Sequence, residues 1–152
     1  MLPAMVARYP REVPDLLIAT DSQAVYDEVV AAVEDVDVLI RWARDGRAVL
    51  PAHRDRPADL VIADLQIGSM GGYAIGMDLA LEAGAGRVPA VPVLLLLDRS
   101  VDVFLARRTG VAGWLVKPLS PMSTRAAVRA LLAGDRYYAG SPAPGGREAL
   151  PA

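Results

Sequence analysis

The chain is built from short, uniformly apolar runs separated by segments with one apolar stripe. "DLLIAT" (15–20), "DLVIA" (59–63) and "VPVLLLL" (91–97) each hold an apolar run with no charged residue inside it. Runs of this length and composition predict strands covered on both faces. "VDVLIRW" (36–42) differs. Val36, Val38, Ile40 and Trp42 alternate with Asp37 and Arg41, which predicts a half-exposed strand. "GWLV" (113–116) predicts a fifth, brief strand.

The intervening segments carry helical spacing. In "SQAVYDEVVAAV" (22–33), Val25, Val29, Ala32 and Val33 share one face, with Asp21 or Ser22 able to cap the first turn. "ARDGRAVLPAH" predicts a short, weakly signalled helix, and "GYAIGMDLALEAG" (72–84) a longer one containing Gly76. "SVDVFLARRTG" (100–110) predicts a short helix stopped by Gly110. "SPMSTRAAVRALLAG" (120–134) has Ser120 as N-cap, Pro121 at the first helical position and Gly134 just past the end.

Five strands alternating with five helices predict an α/β domain with a five-stranded parallel sheet and helices on both faces. The order 2-1-3-4-5 places the alternating second strand at an edge. In that order ligands gather at the carboxyl ends of the strands. Thr20-Asp21, Asp64, Leu97-Asp98 and Lys117-Pro118 stand at those ends. Residues 1–14 hold three prolines and predict an irregular lead-in to a domain spanning 15–135. Residues 136–152 form a Gly-, Pro- and Ala-rich tail, predicted disordered beyond the tyrosines, with no second domain after it.

Composition narrows the chemistry. The 152 residues contain no cysteine and one histidine, His53, so thiol catalysis, disulfides and sites needing two histidines are excluded. His53 is expected on the solvated surface. The formal net charge of −2 and the absence of a basic stripe speak against nucleic-acid binding. No apolar run approaches the roughly 20 residues a membrane span needs. A cytoplasmic protein without a membrane-inserted segment is expected.

The strand-end residues and their spacing carry a resemblance. Asp21 precedes Asp64 by 43 residues, and Asp64 precedes Lys117 by 53. "DLVIADLQIGSMGG" (59–72) resembles the phosphoacceptor segment of response-regulator receiver domains, from bacterial two-component systems, and "GVAGWLVKPLSP" (110–121) resembles their lysine–proline segment. The resemblance spans about residues 14–135 and implies a flavodoxin-like (βα)5 fold. It implies Asp64 as phosphoacceptor and Lys117 as the group that contacts phosphoryl oxygens. Asp21, Asp64 and the backbone carbonyl of Gln66 would be ligands to Mg²⁺. A cis Lys117–Pro118 peptide is also implied.

The sequence departs from that family at two places. Thr20 stands where the first of two adjacent acids is usual, and Leu97 where a Thr or Ser hydroxyl is usual. With Trp114, Leu97 occupies the pair of positions that switch in the family. Asp98 is an added carboxylate with three readings: an auxiliary acid near the metal, a repulsive charge toward a phosphoryl donor, or a cap on the helix near Ser100. Bland roles also stand for Asp64 as a turn cap, Asp21 as a helix cap, Lys117 as a structural ion-pair partner, and Trp42 and Trp114 as core aromatics. Removing one acid makes any Mg²⁺ binding weak.

The leading functional expectation is a stand-alone, atypical receiver, not an enzyme, that signals through an unidentified protein partner with weak or absent phosphorylation-driven switching. The alternative is a working phosphoacceptor in a phosphorelay, modified on Asp64 by a histidine kinase. An enzyme on the same fold is disfavoured by the lack of a glycine-rich phosphate loop after strand 1. Self-association through helix 4, strand 5 and helix 5 is expected to use Arg107, Arg108, Arg125 and Arg129, with Phe104 or Leu105 near the surface.

Overall fold

The computed structural model describes residues 13–139. Its central strands are β1 (Asp15–Ala19), β3 (Leu60–Asp64) and β4 (Val93–Leu97), each buried along its whole length. They are flanked by β2 (Leu39–Ala43) on one side and β5 (Gly113–Val116) on the other. All pair in parallel, in the order β2-β1-β3-β4-β5. The sheet exceeds the expected five strands by one. β6 (Tyr137–Tyr138) adds in parallel to the far edge of β5. Two tyrosines inside a Gly- and Pro-rich segment gave too short a run to signal a strand. The expected lead-in before Val13 and the tail beyond Ala139 lie outside the described residues.

Alternation along the strands sorts the core into two layers. Leu17, Ala19, Val61, Ala63, Leu95 and Leu97 face one way. They meet α2 (Val49–Asp55), α3 (Gly72–Gly84) and α4 (Val103–Ala106) through Val49, Ile75, Leu79 and Ala106. Leu16, Ile18, Leu60, Ile62, Leu94 and Leu96 face the other way. They meet α1 (Gln23–Ala32) and α5 (Pro121–Leu132) through Val29, Ala127, Val128 and Leu131.

Local sequence sets the helix ends. Ser22, rather than Asp21, caps α1 by accepting from the Val25 N–H. Ser120 caps α5, and Pro121 opens it. Beyond α5, Gly134 takes φ 87°, the Gly134 N–H donates to the Leu131 carbonyl and the Asp135 N–H to the Ala130 carbonyl. That is the paired closure a left-handed glycine permits. The segment 100–109 is less regular than expected: a 3-10 turn over Ser100–Asp102, the single turn of α4, and a 3-10 turn over Arg107–Thr109. Both Phe104 and Leu105 are exposed, at 74% and 53%, because so short a helix buries little beyond Ala106.

His53 is a correction. It is fully buried, one turn after Val49 on the inner face of α2. Its Nδ1 accepts from the Ala58 N–H at 3.0 Å, and its Nε2 donates to the Pro89 carbonyl at 2.8 Å. The ring ties the α2–β3 turn to the segment before β4, which no local pattern announces.

The sheet end opposite the strand-end carboxylates is held by charge. The buried Asp15 carboxylate meets Arg41 Nε at 2.9 Å and Arg56 Nε at 3.1 Å. Arg41 also donates to the carbonyls of Ala52 and Arg56. The polar side of the half-exposed strand is therefore fastened to α2.

Candidate functional site

β3 delivers Asp64 to its carboxyl end with the side chain only 2–3% exposed. Both oxygens are engaged. Oδ1 accepts from Lys117 Nζ at 2.7 Å and from the Gln66 N–H at 3.3 Å. Oδ2 accepts from the Thr20 hydroxyl at 2.8 Å. The residue that replaces the first acid is thus a donor to Asp64.

Thr20 is itself anchored on several sides. Its N–H donates to the Ala43 carbonyl at 3.1 Å, and its carbonyl accepts from Trp42 Nε1 at 2.8 Å. Its hydroxyl oxygen accepts from the Ser22 N–H at 3.1 Å. Trp42 is stacked on Tyr26 with ring centroids 3.9 Å apart, and the Arg44 guanidinium lies 4.0 Å from the indole centroid. In the sequence Trp42 reads as a core aromatic, and its hold on Thr20 emerges only in the fold. The only available signal was its place at the end of the edge strand beside β1.

Lys117 follows β5 directly. Its N–H donates to the Leu97 carbonyl at 2.8 Å, and the Lys117–Pro118 peptide is cis. Its ammonium is shared, because Asp98 Oδ1 lies 3.0 Å from Nζ. Burial works to lower the Lys117 pKa. The hydrogen bonds and charges of Asp64 and Asp98 outweigh it and hold the ammonium above the ordinary lysine value. Asp98 does not cap the turn at Ser100; the Asp102 carboxylate accepts from the Arg99 N–H at 2.9 Å instead. The second oxygen of Asp98 is buried and has no hydrogen-bond partner among the described residues.

Asp21 makes none of these hydrogen bonds. It is exposed, and its Oδ2 accepts from the Gly68 N–H at 3.0 Å rather than from α1. The loop that presents Gly68 is pinned to the β2–α2 connection. Gly46 N–H donates to the Gly68 carbonyl, and the Ser69 hydroxyl donates to Asp45 Oδ2 at 2.6 Å. That bond, with the Arg47 N–H, holds the Asp45 carboxyl below its ordinary value. A Cβ on Gly46 would collide with the Met70 carbonyl, so only glycine fits there.

These groups fit a divalent cation poorly. Mg²⁺ takes near-octahedral oxygen ligands and gives up water reluctantly. Here both Asp64 oxygens already accept from protein donors, and an ammonium sits against one of them. No set of three acidic or histidine side chains converges among the described residues. Gln66 enters the site through its N–H.

Leu97 and Trp114 belong to one buried cluster, at 0% and 5% exposure. Leu97 fills core volume and offers no donor. Trp114 packs on Tyr138 with centroids 4.2 Å apart, and its Nε1 has no hydrogen-bond partner among the described residues.

Among the described residues, no helix is long and apolar enough to cross a membrane. The response regulator receiver domain family matches residues 16–129. The chain is 29% identical over 130 residues to the transcriptional regulatory protein CreB of Escherichia coli, covering 84% of this chain and 54% of CreB. It is 33% identical over 121 residues to the DNA-binding response regulator MtrA of Mycobacterium tuberculosis, covering 76% of this chain and 50% of MtrA. The chain therefore spans about half the length of the curated relatives it matches. Among solved structures, the signal receiver domain of a histidine kinase from Syntrophus aciditrophicus aligns with TM-score 0.70 at 25% identity, covering 80% of this chain and 92% of that one. A response regulator from Chloroflexus aurantiacus aligns with TM-score 0.71 at 21% identity, covering 80% and 99%, and shows the fold alone. The strand order, the Asp64–Lys117 contact at the carboxyl end of the sheet and the match over residues 16–129 agree, and the chain belongs to the response regulator receiver domain family.

Proposed function

We propose that this receiver domain is an atypical one that signals through a protein partner, with phosphorylation-driven switching weak or absent. The observation that carries the reading is the sharing of Lys117 between Asp64 and Asp98, at 2.7 Å and 3.0 Å. A phosphoryl group on Asp64 needs Lys117 for its oxygens. Here a resident carboxylate already holds the ammonium, and it adds negative charge where an anionic donor would approach. Like charges in a poorly hydrated site repel strongly. Thr20 occupies the other Asp64 oxygen, and Leu97 supplies no hydroxyl to sense a phosphoryl group.

In this reading Asp64 is the inherited phosphoacceptor position and Lys117 the inherited phosphate-contacting position. Asp21 and the Gln66 carbonyl are remnants of a Mg²⁺ site that binds weakly. The domain carries out no chemistry of its own, and acts in the cytoplasm. Its partner surface is the α4–β5–α5 side, where Phe104 and Leu105 are exposed. A homodimer on that side is the simplest partner. Arg129 is available to it, whereas Arg125 is already paired with Asp35 at 3.1 Å.

The relay alternative draws support from the preserved Asp64–Lys117 pair. Binding of beryllofluoride, an acyl-phosphate mimic, separates the two readings. We expect negligible binding to the native chain and measurable binding to Asp98→Ala, in which Lys117 is released. Tight binding to the native chain, unimproved by Asp98→Ala, would favour the relay.

A further inference from the structure

β6 is only two residues long, yet it closes the edge of β5 and covers the indole of Trp114. The Tyr137 N–H donates to the Ala112 carbonyl at 3.1 Å, and the Ala139 N–H to the Trp114 carbonyl at 3.0 Å. Gly113 makes this approach possible, because a Cβ there would collide with the Tyr137 carbonyl. The Tyr138 ring lies on Trp114 at an interplanar angle of 32°. The β5 edge is therefore shaped for this segment.

The docked arrangement also holds a built-in cost. Trp114 is 5% exposed, and its indole N–H is buried with no hydrogen-bond partner among the described residues. A buried donor left unpaired favours any state in which it reaches water. Gly134 is in the left-handed region, and Asp135 and Arg136 are exposed. Trp114 is three residues from Lys117 and shares its cluster with Leu97, whose carbonyl accepts the Lys117 N–H. The indole thus links the sheet edge to the end of β5 that carries the ammonium.

We propose that Tyr137–Ala139 is a latch. Docked, it pins Trp114 and closes the β5 edge. Lifted, it frees the indole, opens the edge and loosens the backbone that carries Lys117. Such a latch opens locally, without unfolding the sheet. It does not depend on whether Asp64 accepts a phosphoryl group.

Residue-resolved amide hydrogen exchange on the full chain tests this. In the native chain the Tyr137 and Ala139 amides should exchange at least about 100-fold faster than Leu95, as a sub-global opening requires. Tyr138→Ala should speed exchange at Trp114 and Lys117 roughly tenfold while leaving Leu16–Ile18 unchanged, again as a local opening requires. Tyr138→Phe keeps the ring and loses only the exposed hydrogen bond from Arg136 Nη1 to the Tyr138 hydroxyl, at 3.0 Å, so it should stay much closer to the native chain than Tyr138→Ala. Exchange of Tyr137 and Ala139 at the core rate would overturn the latch. So would a Tyr138→Ala effect as large in β1 as in β5, which marks a structural loss, or no effect at Trp114 and Lys117.

Discussion

Asp98 and Lys117 are hydrogen-bonded at 3.0 Å, on the same ammonium that Asp64 holds at 2.7 Å. One cation thus serves two carboxylates. The arrangement has a pH signature. The folded Lys117 has a raised pKa, so its contribution to stability is fully present below the unfolded lysine value and is lost as pH rises through the folded one. Tyr73 adds a loss of the same sign. Burial, followed by the nearby Asp102 charge, raises its phenol, so the unfolded chain ionises first. Comparing the native chain with Lys117→Met isolates the lysine. Chemical denaturation between neutral pH and the alkaline range should show a smaller alkaline loss in the variant.

Thr20 is expected to stabilise the fold through one hydroxyl. Thr20→Val keeps the shape and removes both the donor to Asp64 Oδ2 and the acceptor of the Ser22 N–H. A hydrogen bond to a charged group contributes about 1.5–3 kcal/mol, and the substitution should cost a similar amount. Denaturant midpoints of the two chains measure it. An unchanged midpoint would show that Asp64 does not need this donor.

Replacing the same residue by an acid should expose the weakness of the metal site. Thr20→Asp restores a second carboxylate beside Asp21 but removes the donor to Asp64. The variant should be less stable than the native chain without Mg²⁺ and should bind Mg²⁺ more tightly. NMR titration of the amides around Asp21 and Gln66 gives both affinities. Equal affinities would show that the missing acid is not what limits the site.

Leu97→Thr should act in two opposed ways. The side chain is fully buried in the cluster that holds Trp114, so shortening it should cost about 2 kcal/mol or more. In the Asp98→Ala background the new hydroxyl should strengthen beryllofluoride binding. In the native background Asp98 still holds Lys117, and the gain should be small. Calorimetric titration of the three variants separates the effects.

The strand pattern made the order β2-β1-β3-β4-β5 legible, because burial on both faces leaves a continuous apolar run and an edge leaves alternation. The strand ends then named Asp64 and Lys117. Thr20 reads as a lost acid in the sequence, and its role as a donor becomes visible only in the fold. A residue type states what it can donate, but the partner 44 residues away is set by the register of β1 against β3. The burial of His53 escapes sequence reading for a related reason, since its partners Ala58 and Pro89 precede β3 and β4 and are brought together only in the fold. Asp98 keeps three readings in the sequence because its bond to Lys117 depends on the turn after β4. β6 escaped because two residues carry no period.

The account rests most on Asp64 being closed off by Thr20, Lys117 and Asp98. Intact-mass analysis of the full chain after incubation with a small phosphodonor and Mg²⁺ tests this directly. Amide exchange over β4, α4 and β5 should be recorded on the same sample. The account predicts little or no added phosphoryl mass and unchanged exchange, with labelling at Asp64 increased in Asp98→Ala. Rapid, stoichiometric labelling of Asp64 in the native chain, accompanied by altered exchange across β4, α4 and β5, would contradict it.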